Sequence, residues 1–161
     1  MPTFPVTAAI RCLRAASVAF TEHLYEYQEK GGTRASSIAL GVDEHEVIKT
    51  LVMQDEEKRL CIVLMHGDRN VSTKNLARHL GCKGVVPCTP EIAEKHTGYK
   101  VGGTSPFGTR KAMPIYLEST IRELDRIFIN GGGRGFLVSM STSELVRVLK
   151  PTLVDVGTEK V

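Results

Sequence analysis

Lys49 stands where a lysine is costly. It lies in the run Val47-Ile48-Lys49-Thr50-Leu51, and strand alternation puts it on one face with Val47 and Leu51. An ammonium on an apolar face must be partnered or must reach water. Two readings follow: a long side chain that snorkels to solvent, or a cation placed for a phosphate or carboxylate. A second candidate is the stretch Gly98-Tyr-Lys-Val-Gly-Gly-Thr-Ser-Pro-Phe-Gly108. Gly102 and Gly103 let a backbone come close to a ligand and aim N–H groups at it, and Pro106 stiffens the far side. Such donors can hold an ester carbonyl or an oxyanion, although a plain surface loop has the same glycine content. A third is Gly131-Gly-Gly-Arg-Gly135. Its successive N–H groups could form an anion nest with Arg134 adding charge, or it could simply join two strands as a hairpin.

Other chemistries are excluded by spacing. There is no Gly-x-Ser-x-Gly elbow and no His-Glu-x-x-His. The glycine turn at 131–135 fits neither a phosphate-binding loop nor a dinucleotide fingerprint. The five histidines are scattered without ligand spacing, and the four cysteines, Cys12, Cys61, Cys82 and Cys88, include no Cys-x-x-Cys pair. No metal or cofactor is expected, and free thiols in a reducing cytoplasm are. No leader segment or membrane span is expected from the apolar runs.

These residues must be positioned by one domain, expected over 1–161. A chain of 161 residues, 42% apolar and 24% charged, buries roughly 70% of its unfolded surface without staples. The net charge of +3 is small for a non-specific nucleic-acid binder but compatible with a protein gripping one end of an RNA. Helical spacing runs over Thr7–Ser17, Arg34–Leu40 (stopped by Gly41), from Ser72 or Thr73 to His79 before Gly81, and Pro90–His96 after a Thr89 cap. A last helix, Glu144–Leu149, opens at Ser141 or Thr142 and ends at Pro151. Strands are expected at Thr21–Tyr27, Val47–Gln54, Arg59–Met65, Val85–Val86, Pro114–Glu118, Arg126–Asn130 and Phe136–Met140. Several strand pairs are joined by short turns, which points to a mixed sheet rather than a doubly wound parallel one.

Three blocks, in order, carry a resemblance over about Ala8 to Val154. They are His45-Glu-Val-Ile-Lys-Thr-Leu-Val52, Thr97-Gly-Tyr-Lys-Val-Gly-Gly-Thr-Ser-Pro-Phe-Gly108 and Ile127-Phe-Ile-Asn-Gly-Gly-Gly-Arg-Gly135. The chain resembles the YbaK family of trans-acting aminoacyl-tRNA deacylases, relatives of the editing domain of bacterial prolyl-tRNA synthetases. Lys49 falls on the family's lysine, the middle block fits its Gly-Gly-x-x-Pro loop, and Tyr25 falls where relatives have a pocket tyrosine. Asn130 stands where many have serine, and Leu137 where some have an acidic residue.

The resemblance implies an α/β (α+β) fold, a mixed β-barrel-like sheet flanked by helices. It implies a pocket for the aminoacylated 3′ end of tRNA, with Lys49, Gly102 and Gly103 central. Tyr25, Thr50, Thr104, Ser105 and Pro106 would touch substrate, as would Asn130, Gly131, Gly132 and Arg134. It implies cysteine removed from tRNA(Pro), by water or by the substrate's own thiol, beside prolyl-tRNA synthetase; a monomer is the simplest expectation, in the cytoplasm that the free thiols suggest. A deacylase for another small residue such as alanine, a non-catalytic binder of tRNA ends, and an esterase for small molecules are the alternatives.

Overall fold

A computed structural model describes residues 3–160; Met1, Pro2 and Val161, the ends of the expected domain, lie outside the described residues. The chain runs α1 (Ala8–Ala15), β1 (Thr21–Leu24), α2 (Gly32–Leu40), a 3₁₀ turn (Glu44–Glu46), β2 (Val47–Asp55), β3 (Leu60–His66) and β4 (Arg69–Val71). It continues through α3 (Thr73–Leu80), β5 (Val85–Pro87), α4 (Pro90–Thr97), β6 (Ile115–Glu118) and a 3₁₀ turn (Ser119–Glu123). It ends with β7 (Arg126–Gly133), β8 (Phe136–Ser141), α5 (Thr142–Leu149), β9 (Thr152–Val154) and β10 (Gly157–Glu159).

Hydroxyl side chains start four of the helices. Thr7, Ser72, Thr89 and Ser141 accept from the N–H of Ile10, Asn75, Ile92 and Glu144, each satisfying a donor the helix cannot. Gly41, Gly81 and Gly98 stop α2, α3 and α4 in the left-handed conformation.

The sheet is mixed and flanked by helices. Its order is β1-β8-β7-β2-β3-β6-β9, with β5 also on β2 and a separate β10-β4 pair. β2 pairs parallel with β7, β3 with β6 and β6 with β9; the other pairs are antiparallel. Alternation along β2 splits the apolar residues between two faces. Ile48 joins Ile62, Leu64, Ile129 and Phe136 in a core reaching Ile10 and Leu13 of α1 and Leu145 of α5. Val47 packs with Phe128 and Leu137, and Met53 with Val63, Met65 and Leu76 of α3, on the opposite face.

Three expectations change. β1 ends at Leu24, not Tyr27, because its partner β8 ends at Phe136 and only Tyr25 N–H reaches on to Gly135 O. The glycine turn is shorter than expected: β7 continues through Gly133 across a bulge, leaving Arg134 and Gly135 to turn the chain. The three-residue strands β4, β9 and β10 carry no periodicity of their own and exist through their partners.

Glu118 ties the last of these down. It is buried, and its Oε1 accepts from Val156 N–H and Gly157 N–H, both at 2.8 Å. Burial by itself would raise its pKa, but these bonds and those from Thr120 outweigh it and hold the carboxyl below its usual range. Charge-assisted bonds of this kind are each worth about 1.5–3 kcal/mol. Glu118→Gln is therefore expected to cost about 2–3 kcal/mol in denaturant unfolding, with faster amide exchange at Val156 and Gly157.

Candidate active site

β2 lies inside the sheet, yet one of its edges is interrupted. β7 pairs with Val47 and Ile48 only, and β5 begins at Met53, with Cys88 N–H reaching Val52 O at 3.0 Å. On this edge no strand pairs with Lys49, Thr50 or Leu51, although β3 pairs with all three on the other, and all three are half-buried. Because Val52 presents its carbonyl to this side, Thr50, two residues earlier, presents its N–H and C=O there too. The Thr50 Oγ1 is buried without a hydrogen-bond partner among the described residues.

The gap exists because β7 turns away. Asn130 Oδ1 accepts from Gly132 N–H (2.7 Å) and Gly133 N–H (3.0 Å), and Nδ2 donates to Gly133 O (3.1 Å). An amide side chain thus replaces the neighbouring strand, around a Gly132 at φ +98° that a side chain would strain. This corrects the anion-nest reading: two of its N–H groups are spent on Asn130 itself.

The Gly98–Gly108 loop is clamped onto this bulge. Asn130 Nδ2 also donates to Gly102 O (3.2 Å), and Arg134 Nε donates to Val101 O (2.9 Å) while its guanidinium lies over the Tyr27 ring at 5.2 Å. The loop's base is held by the Tyr99 hydroxyl donating to Phe107 O at 2.6 Å. Several expected contacts change role. Gly103 N–H donates to Lys100 O at 2.8 Å, so it cannot also hold an ester. Gly102 N–H has no acceptor among the described residues. Ser105 and Pro106 are buried, and Ser105 Oγ accepts from Phe107 N–H at 3.2 Å; they shape the loop rather than line a pocket. Gly131 is buried too, with Phe136 where a side chain would stand. Thr104 stays half-buried at the loop, its hydroxyl 3.4 Å from Lys100 O.

Lys49 and Asn130 occupy the next positions on β2 and β7 after pairing stops, on the same face. Thr50 points to the other face with Ile48, so it and Lys49 meet at the gap only through the strand itself. Tyr25 packs with Val47, Phe128 and Leu137 on the Lys49 face, and burial, with Tyr27 adding, raises its pKa. Tyr27 entered the sequence reading only as the end of the strand expected over Thr21–Tyr27; it is Tyr27 that touches Gly102 and Arg134.

The Lys49 ammonium does not snorkel freely; it donates to Arg69 O at the β3–β4 turn. β10 pairs Glu159 with Arg69, and the next residue, Lys160, sits 3.6 Å from Glu44. Burial lowers the Lys49 pKa and Lys160 lowers it further, against Glu44 and Asp68, which raise it. An NMR titration of the Lys49 side chain should therefore find it below the ordinary lysine value. Lys160→Gln removes a repelling cation and should move it up; Asp68→Asn removes an attracting anion and should move it down. The opposite order would refute this placement.

Two of the scattered histidines meet beside this cluster. His45 and His66 stack with ring centroids 3.7 Å apart, and with Asp68 they form a group of potential ligands within 4.8 Å. Stacked rings hold their nitrogen lone pairs in two separate, nearly parallel planes, so these do not converge on one ion. His66 is also fully engaged: Nδ1–H donates to His45 O and Nε2 lies 2.8 Å from the Thr120 hydroxyl. Asp68 accepts from His45 Nδ1 at 2.8 Å. The group is a hydrogen-bonded stack, not a converging ligand set.

Residues 32–148 match the aminoacyl-tRNA editing domain family. A protein of Enterococcus faecalis (strain ATCC 700802 / V583), provisionally named the Cys-tRNA(Pro)/Cys-tRNA(Cys) deacylase EbsC, is 26% identical over 96% of this chain and 94% of its own. Proline--tRNA ligase of Moorella thermoacetica is 34% identical over 51% of this chain, which is 14% of the ligase. A solved structure described as a candidate trans-editing enzyme for prolyl-tRNA synthetase superposes with a TM-score of 0.81, at 19% identity, over 98% of this chain and 100% of that one. At that identity the likeness speaks to fold. The family match covers most of the chain, including Lys49, the glycine loop and the Asn130 bulge, and the chain belongs to the aminoacyl-tRNA editing domain family, of YbaK/EbsC type.

Proposed function

We propose that this protein removes cysteine from tRNA(Pro), using the interrupted edge of β2 as the seat of the aminoacyl ester. The observation that carries the proposal is the stretch Lys49–Leu51, paired with β3 on one edge and open on the other, where the Thr50 hydroxyl is buried without a partner among the described residues and the Asn130 bulge begins at the facing position of β7. Lys49 holds a phosphate, or another polar group, of the terminal adenosine. Thr50 N–H and Gly102 N–H are the donors left for the ester carbonyl, in place of the spent Gly103 N–H. Asn130, Arg134 and Tyr27 act by fixing the loop.

An aminoacyl ester is already activated, so positioning and oxyanion stabilisation can supply much of the acceleration. With cysteine, the substrate sulfur attacks its own carbonyl. A C–S bond forms, the bond from that carbon to the ribose oxygen breaks, and the thiol proton passes to the departing ribose oxygen, which leaves as a hydroxyl. The products are a thiolactone and uncharged tRNA. With an amino acid lacking a thiol, water takes the same path and the product is the free amino acid. The protein works as a single-domain monomer in the cytoplasm, with prolyl-tRNA synthetase delivering the mischarged tRNA. Among the described residues no helix is long and apolar enough to cross a membrane.

The test is deacylation of tRNA(Pro) charged with cysteine, alanine or proline and of cysteinyl-tRNA(Cys), with and without the synthetase. Rapid loss of cysteine from tRNA(Pro), with proline spared, supports the reading. Loss of alanine alone moves the substrate, and no loss from any charged tRNA overturns the proposal.

A further inference from the structure

Beyond the glycine loop the surface turns basic. Lys95 comes from the last turn of α4 and Lys100 opens the loop. Arg110 and Lys111 return beside them because their N–H groups donate to Thr97 O (3.0 Å) and His96 O (2.9 Å). Lys95, Lys100, Arg110 and Lys111 are all exposed. Among the described residues none of the four has a carboxylate within salt-bridge distance. Lys95, Lys100 and Arg110 border a shallow depression of about 430 Å³ that also includes Glu91 and Glu94. Glu91 belongs to the first turn of α4, where the helix dipole favours an anion, and the cations gather at the opposite end, toward the loop.

We infer that this ridge is the docking surface for the phosphate backbone of a short RNA double helix, the stem that carries the aminoacylated end. This rests on the proposed function. Unpaired cations are what counterion release needs. The one aromatic residue of the depression, Tyr99, is buried, so there is no platform for stacking single-stranded bases, and backbone contact is the mode the surface allows. The ridge is also continuous with the site: Lys100 O accepts from Gly103 N–H, so a stem lying on Lys100 and Lys111 leads its single-stranded end over Gly102 toward the gap in β2.

The experiment compares wild type with Lys95→Ala/Lys100→Ala/Lys111→Ala; Arg110 is kept because its side chain packs on Gly98. Deacylation of aminoacyl-tRNA and of an aminoacylated CCA trinucleotide is followed across a KCl series. With tRNA, KM is expected to rise at least about tenfold at low salt, and the log–log salt slope to fall by about 2–3, since each phosphate left unneutralised takes slightly under one from the slope. The kcat for tRNA, and both constants for the trinucleotide, should hold within about twofold. Unchanged KM for tRNA, or equal losses on both substrates, overturns the inference. A loss seen only when the synthetase is present overturns it in favour of an acidic protein surface. Binding of an uncharged stem–loop RNA, read by fluorescence anisotropy, separates this from the activity itself. A wild type that deacylates nothing yet loses stem binding in the triple variant keeps the docking surface and discards the proposed function.

Discussion

Lys49→Ala is expected to lower kcat/KM for aminoacyl-tRNA by about a thousandfold, roughly 4 kcal/mol of transition-state stabilisation, while the protein remains folded. The two halves of this result come from different physics. Lys49 contributes little to the fold: it is half-buried and donates only to Arg69 O, and burial already disfavours its charge. Truncation removes that desolvation cost along with the single hydrogen bond, so stability should stay within about 1 kcal/mol of wild type. For substrate the balance reverses. A half-desolvated ammonium at the mouth of a gap attracts an incoming anion more strongly than a hydrated one does, because the surrounding dielectric is lower. Lys49→Arg keeps the charge but carries a broader head group that does not fit the contact with Arg69 O, and should recover only part of the loss. A folded Lys49→Ala protein with an unchanged rate would remove Lys49 from the site and leave Thr50 as its sole polar side chain on β2.

What could be read from the sequence was whatever depends on neighbours along the chain. Alternation on β2 marked Lys49 as misplaced for a core strand, and hydroxyl and glycine punctuation located α3 and α4 within a residue or two. The mixed sheet followed from short turns between strand pairs. Features that depend on distant partners could not be read. Asn130 looked like a departure from a serine position, but its amide completes the bulge and reaches across to Gly102 O, a contact between residues far apart in sequence. The glycine runs suggested two sets of free N–H donors, and the fold uses most of them internally. The stacking of His45 on His66 requires the β3–β4 turn to fold back beside the 3₁₀ turn, which no local spacing encodes. Lys160 comes near Lys49 because β10 pairs with β4 and Glu118 holds the start of β10, contacts between residues far apart in sequence.

Gly103→Ala is expected to cost about a hundredfold or more in kcat/KM, although the Gly103 N–H does not face the substrate. A Cβ at this position would stand 2.9 Å from Arg134 N and 2.9 Å from Gly133 C, both backbone atoms of the hairpin. Neither can move without disturbing the bulge that Asn130 completes, so the loop must lift instead. Lifting breaks the bonds from Asn130 to Gly102 O and from Arg134 to Val101 O, and a displacement of about 1 Å at a positioned group is enough for a loss of that order. Overpacking of this kind also costs stability, about 1–3 kcal/mol, so kcat/KM has to be compared at temperatures well below the lowered Tm. Gly84→Ala provides the control, since a Cβ there meets nothing within 4 Å, and it should match wild type in both measurements. Gly102→Ala differs in kind. Its φ of +89° disfavours a side chain, but the atom it would strike, 2.5 Å away, is the end of the Tyr27 side chain. Pairing Gly102→Ala with Tyr27→Ala should therefore relieve the steric part of its loss, whereas no single side-chain truncation can relieve Gly103→Ala. If Gly103→Ala retained full activity, the close seat of the loop on the hairpin would be a packing feature alone, and the ester would have to be held by the Thr50 N–H without the loop.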